Sequence, residues 1–238
     1  MTAIESLAQT FGAHPLVAIG VTVAAYSLGV ALQRRLGGHP LANPVLIAIG
    51  AVAGWLFLAG RDHASYFADA RPLHLLLGPA VVALAIPIHR HRRSIAAAAI
   101  PVLGTVAIGA TAAIVSTIAI AALAGADPET LRSIAPKSVT APAAIGLSER
   151  LGGLPALTAV VTIATGIMTA VFGPAVLDRA GVTVPAARGL AMGIAGHGIA
   201  TARMLQLCPE AGAYAGLALG LNALVSSAIL PVIVRLAL

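Results

Sequence analysis

The chain has 238 residues, of which 59% are hydrophobic and only 9% are charged. Since a soluble domain carries about 25% charged residues, this composition excludes an ordinary soluble enzyme, a disordered protein and a nucleic-acid-binding domain. The net charge of +6 does not alter this conclusion, because the arginines lie in short gaps between apolar runs, as they do in the loops of membrane proteins. The composition therefore predicts an all-α integral membrane protein.

Membrane-crossing helices need about 20 apolar residues each. Apolar segments of suitable length predict about six spans, at residues 15–32, 44–59, 72–88, 95–123, 156–177 and 212–238. The fourth is long, so it is either bent at Gly104 and Gly109 or tilted. We expect residues 1–125 to form an N-terminal scaffold and oligomerisation unit and residues 126–238 to form a separate C-terminal unit. Arginine clusters at residues 34–35 and 90–93 mark the cytoplasmic side, which places both chain ends outside.

Two segments of the C-terminal half, residues 129–151 and 186–207, are too polar to be simple spans. Pro136 and Pro142 disfavour helix in the first segment, and Gly196 and Gly198 favour a break around His197 in the second. Each interrupted segment precedes an intact span, so the pattern is that of a unit used twice. Each segment either crosses the membrane or dips in and returns, and the charges favour the second arrangement. Paired interrupted helices indicate a transporter binding site.

Lys137 is the only lysine of the chain and lies in the middle of the first interrupted segment. It would either pair with an anionic substrate near half-helix N-termini or extend to an interface. Ionisable residues inside a membrane mark functional sites by default, which favours the first interpretation. Ser138 and Thr140 would offer hydroxyl groups to the substrate, cap the broken helix, or do both.

The second interrupted segment carries its own candidates. His197 would donate a hydrogen bond to substrate or relay a proton, or would only satisfy backbone carbonyl groups. Thr201 and Arg203 follow it, and Arg203 would clamp a carboxylate through two N–H groups or lie at an interface. Glu149, at the end of the first segment, would couple protons or form a solvated helix end.

The remaining polar residues give weaker indications. Asn222 falls inside the last predicted span, where we expect it to bond a neighbouring helix. The single cysteine, Cys208, excludes a disulfide within the chain. We find no nucleotide-binding loop, catalytic triad, paired carboxylates or metal-ligand spacing in the sequence, and we therefore expect no enzymatic activity, no cofactor and no metal site.

A set of short motifs resembles the LrgB/CidB family of bacterial membrane proteins, from about residue 41 to the end. The chain departs from the family pattern at Ala141, Gly196 and Ala200. The matching motifs are Asn43–Leu46 (NPVL), Leu77–Ala80 (LGPA), Val82–Pro87 (VALAIP), Pro136–Pro142 (PKSVTAP), Leu147–Pro155 (LSERLGGLP), Ala187–Ala191 (ARGLA), Gly196–Arg203 (GHGIATAR) and Gly220–Asn222 (GLN).

The resemblance implies a multi-pass protein of the bacterial cytoplasmic (inner) membrane that works with a smaller LrgA/CidA-like membrane partner. Family members have been described as holin/antiholin-like regulators of murein hydrolase export and lysis. Plastid relatives exchange glycolate and glycerate, and bacterial relatives have been linked to pyruvate and similar acids. Together with the interrupted helices, this leads us to expect a dimeric transporter of small monocarboxylates (glycolate, glycerate, lactate or pyruvate class) that uses alternating access. The alternative is a regulator of murein hydrolase export and autolysis that transports nothing itself.

Overall fold

The computed structural model describes residues 15–39, 42–76, 79 and 82–237. Every regular element among these residues is an α-helix, which confirms the all-α class. The helices are α1 (Pro15–Arg35), α2 (Pro44–Leu58), α3 (His63–Asp69), α4 (Arg71–Leu75), α5 (Ala85–Arg90), α6 (Arg92–Ala97), α7 (Ala99–Leu123), α8 (Pro128–Ile134), α9 (Ala141–Leu151), α10 (Pro155–Arg179), α11 (Pro185–Leu207) and α12 (Pro209–Ala237).

Among the described residues, four helices are long and apolar enough to cross a membrane, namely α1, α7, α10 and α12. Helices α2 and α3 meet at a bend of 117° and together would make a fifth span. The chain is therefore a multi-pass membrane protein. The structure does not reach the predicted six spans, because the described parts of residues 72–88 form no single long helix.

The described residues of that third predicted span include two short helices. Helix α4 ends at Leu75 and α5 begins at Ala85. The intervening residues 77, 78, 80 and 81, which carry most of the LGPA motif, lie outside the described residues. Each proline in this segment lacks an amide donor and limits the helix around it. The fourth span, predicted to start at residue 95, begins in the structure at Ala99. Gly104 and Gly109, where a bend was considered, lie within this continuous helix.

The chain divides between Ala83 and Leu84 into two compact units. In the first unit α1 packs against α2, and the hydroxyl groups of Thr22 and Tyr66 lie 2.6 Å apart. The second unit holds α5 to α12. Helix α7, which the sequence analysis grouped with residues 1–125, packs in this second unit, where a Cβ on Gly109 would lie 3.1 Å from the Ile194 side chain.

Residues 128–151 fold back on themselves and form hairpin 1. Its legs are α8 and α9, and residues 135–140 between them belong to neither helix. The N–H of Leu154, just past α9, donates to Ser133 Oγ of α8 over 2.7 Å. A continuous helix would separate residues 133 and 154 by about 30 Å, so the chain reverses its direction within the segment.

Residues 185–207 form hairpin 2 in the same way. Helix α11 is interrupted at Gly196 and His197, where the backbone angles are not helical. We name the two parts α11a (185–195) and α11b (198–207). A Cβ on Gly189 would overlap the carbonyl oxygen of Ala211, which lies only four residues beyond α11b. Residues 189 and 207 of a straight helix would be about 27 Å apart, so α11b returns to the end where α11a starts.

Helix α12 is the common axis of both hairpins. Gly189 and Gly193 of α11a contact Ala211 and Ala215 in the same order, so α11a runs parallel to the first half of α12. Such small side chains allow the two backbones to approach closely, as they do in membrane helix pairs. Along the second half of α12, Leu147 of α9 packs with Leu230, closer to the C-terminal end of the helix. The hairpins therefore enter this unit from opposite ends.

The two ends of this unit are named after residues of α12. The Pro209 end is where α12 starts, beside the loop between α10 and α11. The Arg235 end is where α12 stops, beside Gly152 and Gly153. Hairpin 1 enters from the Arg235 end and hairpin 2 from the Pro209 end, so their interrupted tips lie half-way along α12.

Candidate functional site

One buried amide bonds to both hairpin tips. Asn222, the fourteenth of the 29 residues of α12, is 1% exposed. Its Nδ2 donates to the carbonyl oxygen of Ser138 over 2.9 Å and to that of Ile194 over 3.2 Å. Ser138 lies in the interruption of hairpin 1, and Ile194 precedes that of hairpin 2. Asn222 therefore brings the two interrupted segments to the same level of the molecule.

His197 forms the tip of hairpin 2 and is almost fully buried. Its φ of 41° makes it the only non-glycine residue with positive φ among the described residues. Its Nε2 lies 3.0 Å from the carbonyl oxygen of Thr162 on α10. Gly166, one turn further along α10, leaves room for the imidazole, since a Cβ there would lie 2.7 Å from Cε1 of the ring. The structure thus holds the histidine against α10 in a conformation that few residues adopt.

Thr162 adds a polar group with no partner. Its side chain is fully buried, and its Oγ1 is the one buried side-chain nitrogen or oxygen of the described residues that lacks a hydrogen bond. A buried hydroxyl that makes no hydrogen bond is unfavourable by about 1–3 kcal/mol. A water molecule or a ligand oxygen beside the tip of hairpin 2 would remove that penalty.

The tip of hairpin 1 carries Lys137, which is half-buried. No carboxylate lies within ion-pair distance of it in the described part of the chain. Beside it, Ser138 is buried and its carbonyl accepts the bond from Asn222. Thr140 stands at the N-cap of α9, but its side chain makes no capping hydrogen bond.

Each return leg starts at the level of the tips. Helix α9 begins at Ala141, directly after the interruption of hairpin 1, and α11b begins at Gly198, directly after that of hairpin 2. The first N–H groups of a helix lack partners within it, and its N-terminus carries a partial charge of about +0.5. Two N-termini therefore direct free N–H groups and positive potential toward the middle of the unit. Such a place favours an anion.

Other predicted residues occupy different positions. Thr201 is buried and donates to the carbonyl of His197 over 2.7 Å, so it supports the interruption. Arg203 lies six residues past His197, about 9 Å along α11b toward the Pro209 end, with its Nη1 3.5 Å from Gln206 Oε1. Glu149 is exposed and eight residues beyond the start of α9, about 12 Å toward the Arg235 end. The structure brings neither Arg203 nor Glu149 to the tips.

The positions of the interruptions also differ in detail from the sequence analysis. The non-helical residues of hairpin 2 are Gly196 and His197, whereas Gly198 is already helical. In hairpin 1, Pro136 lies within the interruption and Pro142 lies in the first turn of α9. Proline is compatible with a first helical turn because the N–H that it lacks would have no partner there. Gly198 and Pro142 therefore flank the interruptions instead of forming them.

Sequence reasoning missed two residues of the site. Asn222 was expected to bond a neighbouring helix, and nothing in the pattern showed that it would bond both tips. Thr162 lies in an uninterrupted apolar span and stood out in no way. The one available signal was that an amide in the middle of a span is unfavourable without partners, which makes any such residue worth placing in the fold.

A cluster of hydroxyl groups fixes hairpin 1 to α10. Ser133, Ser148 and Thr158 are completely or almost completely buried. Thr158 Oγ1 lies 2.8 Å from the carbonyl oxygen of Ser133 and 2.7 Å from Ser148 Oγ. Gly153 packs directly on this cluster, since a Cβ there would lie 2.8 Å from the backbone nitrogen of Ser133. The legs of hairpin 1 are therefore held at the Arg235 end while its tip lies at mid-depth.

Comparisons with known proteins agree with this reading of the chain as a membrane protein. A Haemophilus influenzae protein is 32% identical over 216 residues, which cover 91% of this chain and 93% of the relative. The Bacillus subtilis protein YxaC is 32% identical over 221 residues, covering 93% and 96%. A Staphylococcus epidermidis protein named "Holin-like protein CidB" is 29% identical over 216 residues, covering 91% and 94%.

No solved structure matches the chain. Residues 22–236 match the family described as the LrgB-like family. This range includes both hairpins, Asn222 and most of each of the four candidate spans. The resemblance seen in the short motifs is thereby confirmed over most of the sequence. The chain belongs to the LrgB-like family.

Proposed function

We propose that this protein transports small monocarboxylate anions of the glycolate, glycerate, lactate or pyruvate class across the membrane by alternating access. The observation that carries the proposal is the pair of hairpins that enter from opposite ends and meet at Asn222. Opposed interrupted helices whose N-termini face a site near mid-depth are a recurring arrangement in secondary transporters.

The groups at the tips suit a small carboxylate. Its single negative charge would be balanced by Lys137, which has no carboxylate partner among the described residues, and by the N-termini of α9 and α11b. Its hydroxyl or keto oxygen would bond the unpartnered hydroxyl of Thr162 or the ring of His197. Ser138, Thr140 and Thr201 complete the proposed substrate site as hydroxyl groups within the two tip segments.

Proton coupling is a separate part of the proposal. His197 is the candidate, because it is a histidine at a hairpin tip and an imidazole can serve as a proton relay. Glu149 and Arg203 act near the two ends of the unit instead of at the tips. There they would attract or repel the anion as it approaches, or balance charge.

The arginines indicate the orientation in the membrane. In the second unit, the Pro209 end carries six arginines and two carboxylates, whereas the Arg235 end carries three of each. The positive-inside rule then places the Pro209 end in the cytoplasm of a bacterial inner membrane. The arginines of the Pro209 end are Arg90, Arg92, Arg93, Arg179, Arg188 and Arg203.

A second candidate function is favoured by the relatives. The Staphylococcus epidermidis relative is named a holin-like protein, and a chain of this family would on that basis regulate murein hydrolase export and autolysis without carrying a solute. The name favours this candidate, whereas the buried site at the hairpin tips favours transport. Either role is compatible with a homodimer and with a small LrgA/CidA-like membrane subunit.

Uptake by the purified full chain in proteoliposomes separates the two candidates. We expect saturable uptake of labelled glycolate or pyruvate, lost in Lys137→Ala and retained in the control Arg179→Ala, which removes an exposed positive charge at the Pro209 end. Equal unfolding midpoints would show that both variants fold. Uptake no faster than leakage through empty liposomes would overturn the transport proposal and favour the regulator. Full uptake by Lys137→Ala would remove that residue from the site.

A further inference from the structure

A cavity at the Arg235 end is lined by three arginines. It has a volume of about 780 Å³ and lies between hairpin 1 and the second half of α12. Arg132 comes from α8, Arg150 from α9 and Arg235 from α12. No acidic residue contributes to its lining. The cavity extends along α9 from the first helical turn, where Pro142 and Ala143 line it, to the Arg235 end, where Arg150 and Arg235 line it.

The three guanidinium groups are not neutralised within the protein. Glu149 adjoins Arg150 and Glu129 lies one turn before Arg132, yet no ion pair joins them. Among the described residues, none of the three guanidinium groups has a hydrogen-bond partner. A helix C-terminus carries a partial charge of about −0.5, so three C-termini offset about half of the charge of +3. The cavity remains positive, and planar guanidinium groups bind phosphate and carboxylate oxygens through paired N–H groups.

Apart from the arginines and Ser227, the residues that line the cavity are apolar. Leu147 and Leu151 of α9 face Pro231 and Val234 of α12, and Gly146 leaves additional space. The volume equals that of roughly 25 water molecules at about 30 Å³ each, which is far more than a free phosphate or a small carboxylate needs. An amphiphile with an anionic head and an apolar tail matches both the charged rim and the apolar wall.

We infer that this cavity binds the phosphate head of an anionic phospholipid, with the start of an acyl chain against the wall formed by α9 and α12. Arginine binds phosphate through paired N–H groups on either side of a membrane, and each basic residue near an anionic lipid surface adds about 1 kcal/mol of attraction. The bound lipid would join hairpin 1 to α12 at the Arg235 end, away from the Asn222 contact at mid-depth. This inference does not depend on the proposed transport function.

Lipid binding by the full chain tests the inference. The purified protein is placed in vesicles of phosphatidylcholine with an increasing fraction of phosphatidylglycerol, and the bound phosphatidylglycerol is measured by quenching of a labelled lipid. We expect saturable binding. Each arginine near a lipid surface contributes about fivefold to affinity, so the variant with Arg132→Gln, Arg150→Gln and Arg235→Gln should bind between tenfold and about a hundredfold more weakly. The matched control removes three arginines at the other end, Arg90→Gln, Arg92→Gln and Arg93→Gln, and should bind normally.

A second variant tests the shape of the cavity without changing its charge. A Cβ on Gly146 meets no atom within 4 Å, so Gly146→Leu should fold and fill the space. It should weaken phosphatidylglycerol binding, whereas Gly220→Leu, at another open position on α12, should not. Equal weakening by the control triple variant would overturn the inference, because the binding would then be general surface charge. The inference would also be overturned if inorganic phosphate saturated these arginines and phosphatidylglycerol bound no more tightly than phosphate. The site would then hold a free anion.

Discussion

Replacing Asn222 with leucine should release the two hairpin tips from each other. Leucine has nearly the shape of asparagine but offers neither donor nor acceptor. The change therefore removes the two bonds that Nδ2 donates to the carbonyls of Ser138 and Ile194 and the bond that Ser226 Oγ donates to Oδ1, and it leaves the packing largely intact. Both carbonyls would then lie without this donor in a buried environment. The substitution therefore tests whether one amide holds the two interruptions at the same level.

The magnitude follows from the three hydrogen bonds of the Asn222 side chain. A buried hydrogen bond contributes about 1 kcal/mol to stability, and hydrogen bonds between membrane helices average nearer 0.6 kcal/mol. Asn222→Leu should therefore lower the free energy of unfolding by about 2–3 kcal/mol. We expect hydrogen exchange to rise at the backbone amides of both tips, at Val139 and His197, with little change in α7.

The assay is denaturant unfolding in detergent combined with hydrogen exchange. Ser227→Ala serves as the control, because its exposed hydroxyl bonds only Ala223 of its own helix and its loss should change stability by less than about 0.5 kcal/mol. If Asn222→Leu matches Ser227→Ala in stability and in tip exchange, the reasoning is refuted. Faster exchange at one tip alone would show that the hairpins open independently.

Three further predictions concern the surroundings of the tips. Gly166→Ala would bring a methyl group to 2.7 Å from the His197 ring and should lower both the unfolding midpoint and the rate of transport. The control Gly104→Ala, at an open helical position, should stabilise the protein by about 0.4–1 kcal/mol. Equal unfolding midpoints in the two variants would contradict the packing argument. Ser133→Ala removes the hydroxyl that accepts a backbone N–H within the buried hydroxyl cluster and should cost about 1–3 kcal/mol, against a negligible effect for the exposed Ser116→Ala, as thermal unfolding would show. His197→Ala should change the pH profile of uptake in proteoliposomes, and an unchanged profile would leave this residue a structural role only.

The interrupted helices could be predicted from the sequence because backbone chemistry acts locally. Two prolines six residues apart, and a glycine–histidine–glycine run, disfavour helix wherever they occur. The structure leaves residues 135–140 outside the helices and gives residues 196 and 197 non-helical backbone angles, within the two predicted segments. Local patterns do not decide which way the chain leaves an interruption. The reversal of each hairpin became visible only through contacts such as that of Leu154 with Ser133.

The described residues do not confirm the third predicted span, for a related reason. Apolar composition alone indicated a helix over residues 72–88, although Pro79 and Pro87 lie inside the segment. Hydropathy measures the affinity of side chains for lipid and is insensitive to missing amide donors. The described residues on either side form α4 and α5, which contain five and six residues.

The two missed site residues show the limit of single-sequence reasoning. The bonds of Asn222 connect it to residues 84 and 28 positions away, and no periodicity carries that information. Thr162 is identified by what it lacks, since its hydroxyl has no partner, which is a property of the folded environment. In contrast, Lys137 and His197 could be picked out because their residue types are rare in apolar sequence.

The Gly–Ala contact between α11a and α12 has a consequence for register. Glycine and alanine have no side-chain rotamers to order, so this contact forms without loss of side-chain entropy. Sliding α11a forward by one turn would set Gly193 against Leu219, which is bulky and already buried, and the close approach of the backbones would be lost. The size of the facing residues alone thus selects one register of α11a along α12. In that register the carbonyl of Ile194 accepts the bond from Asn222.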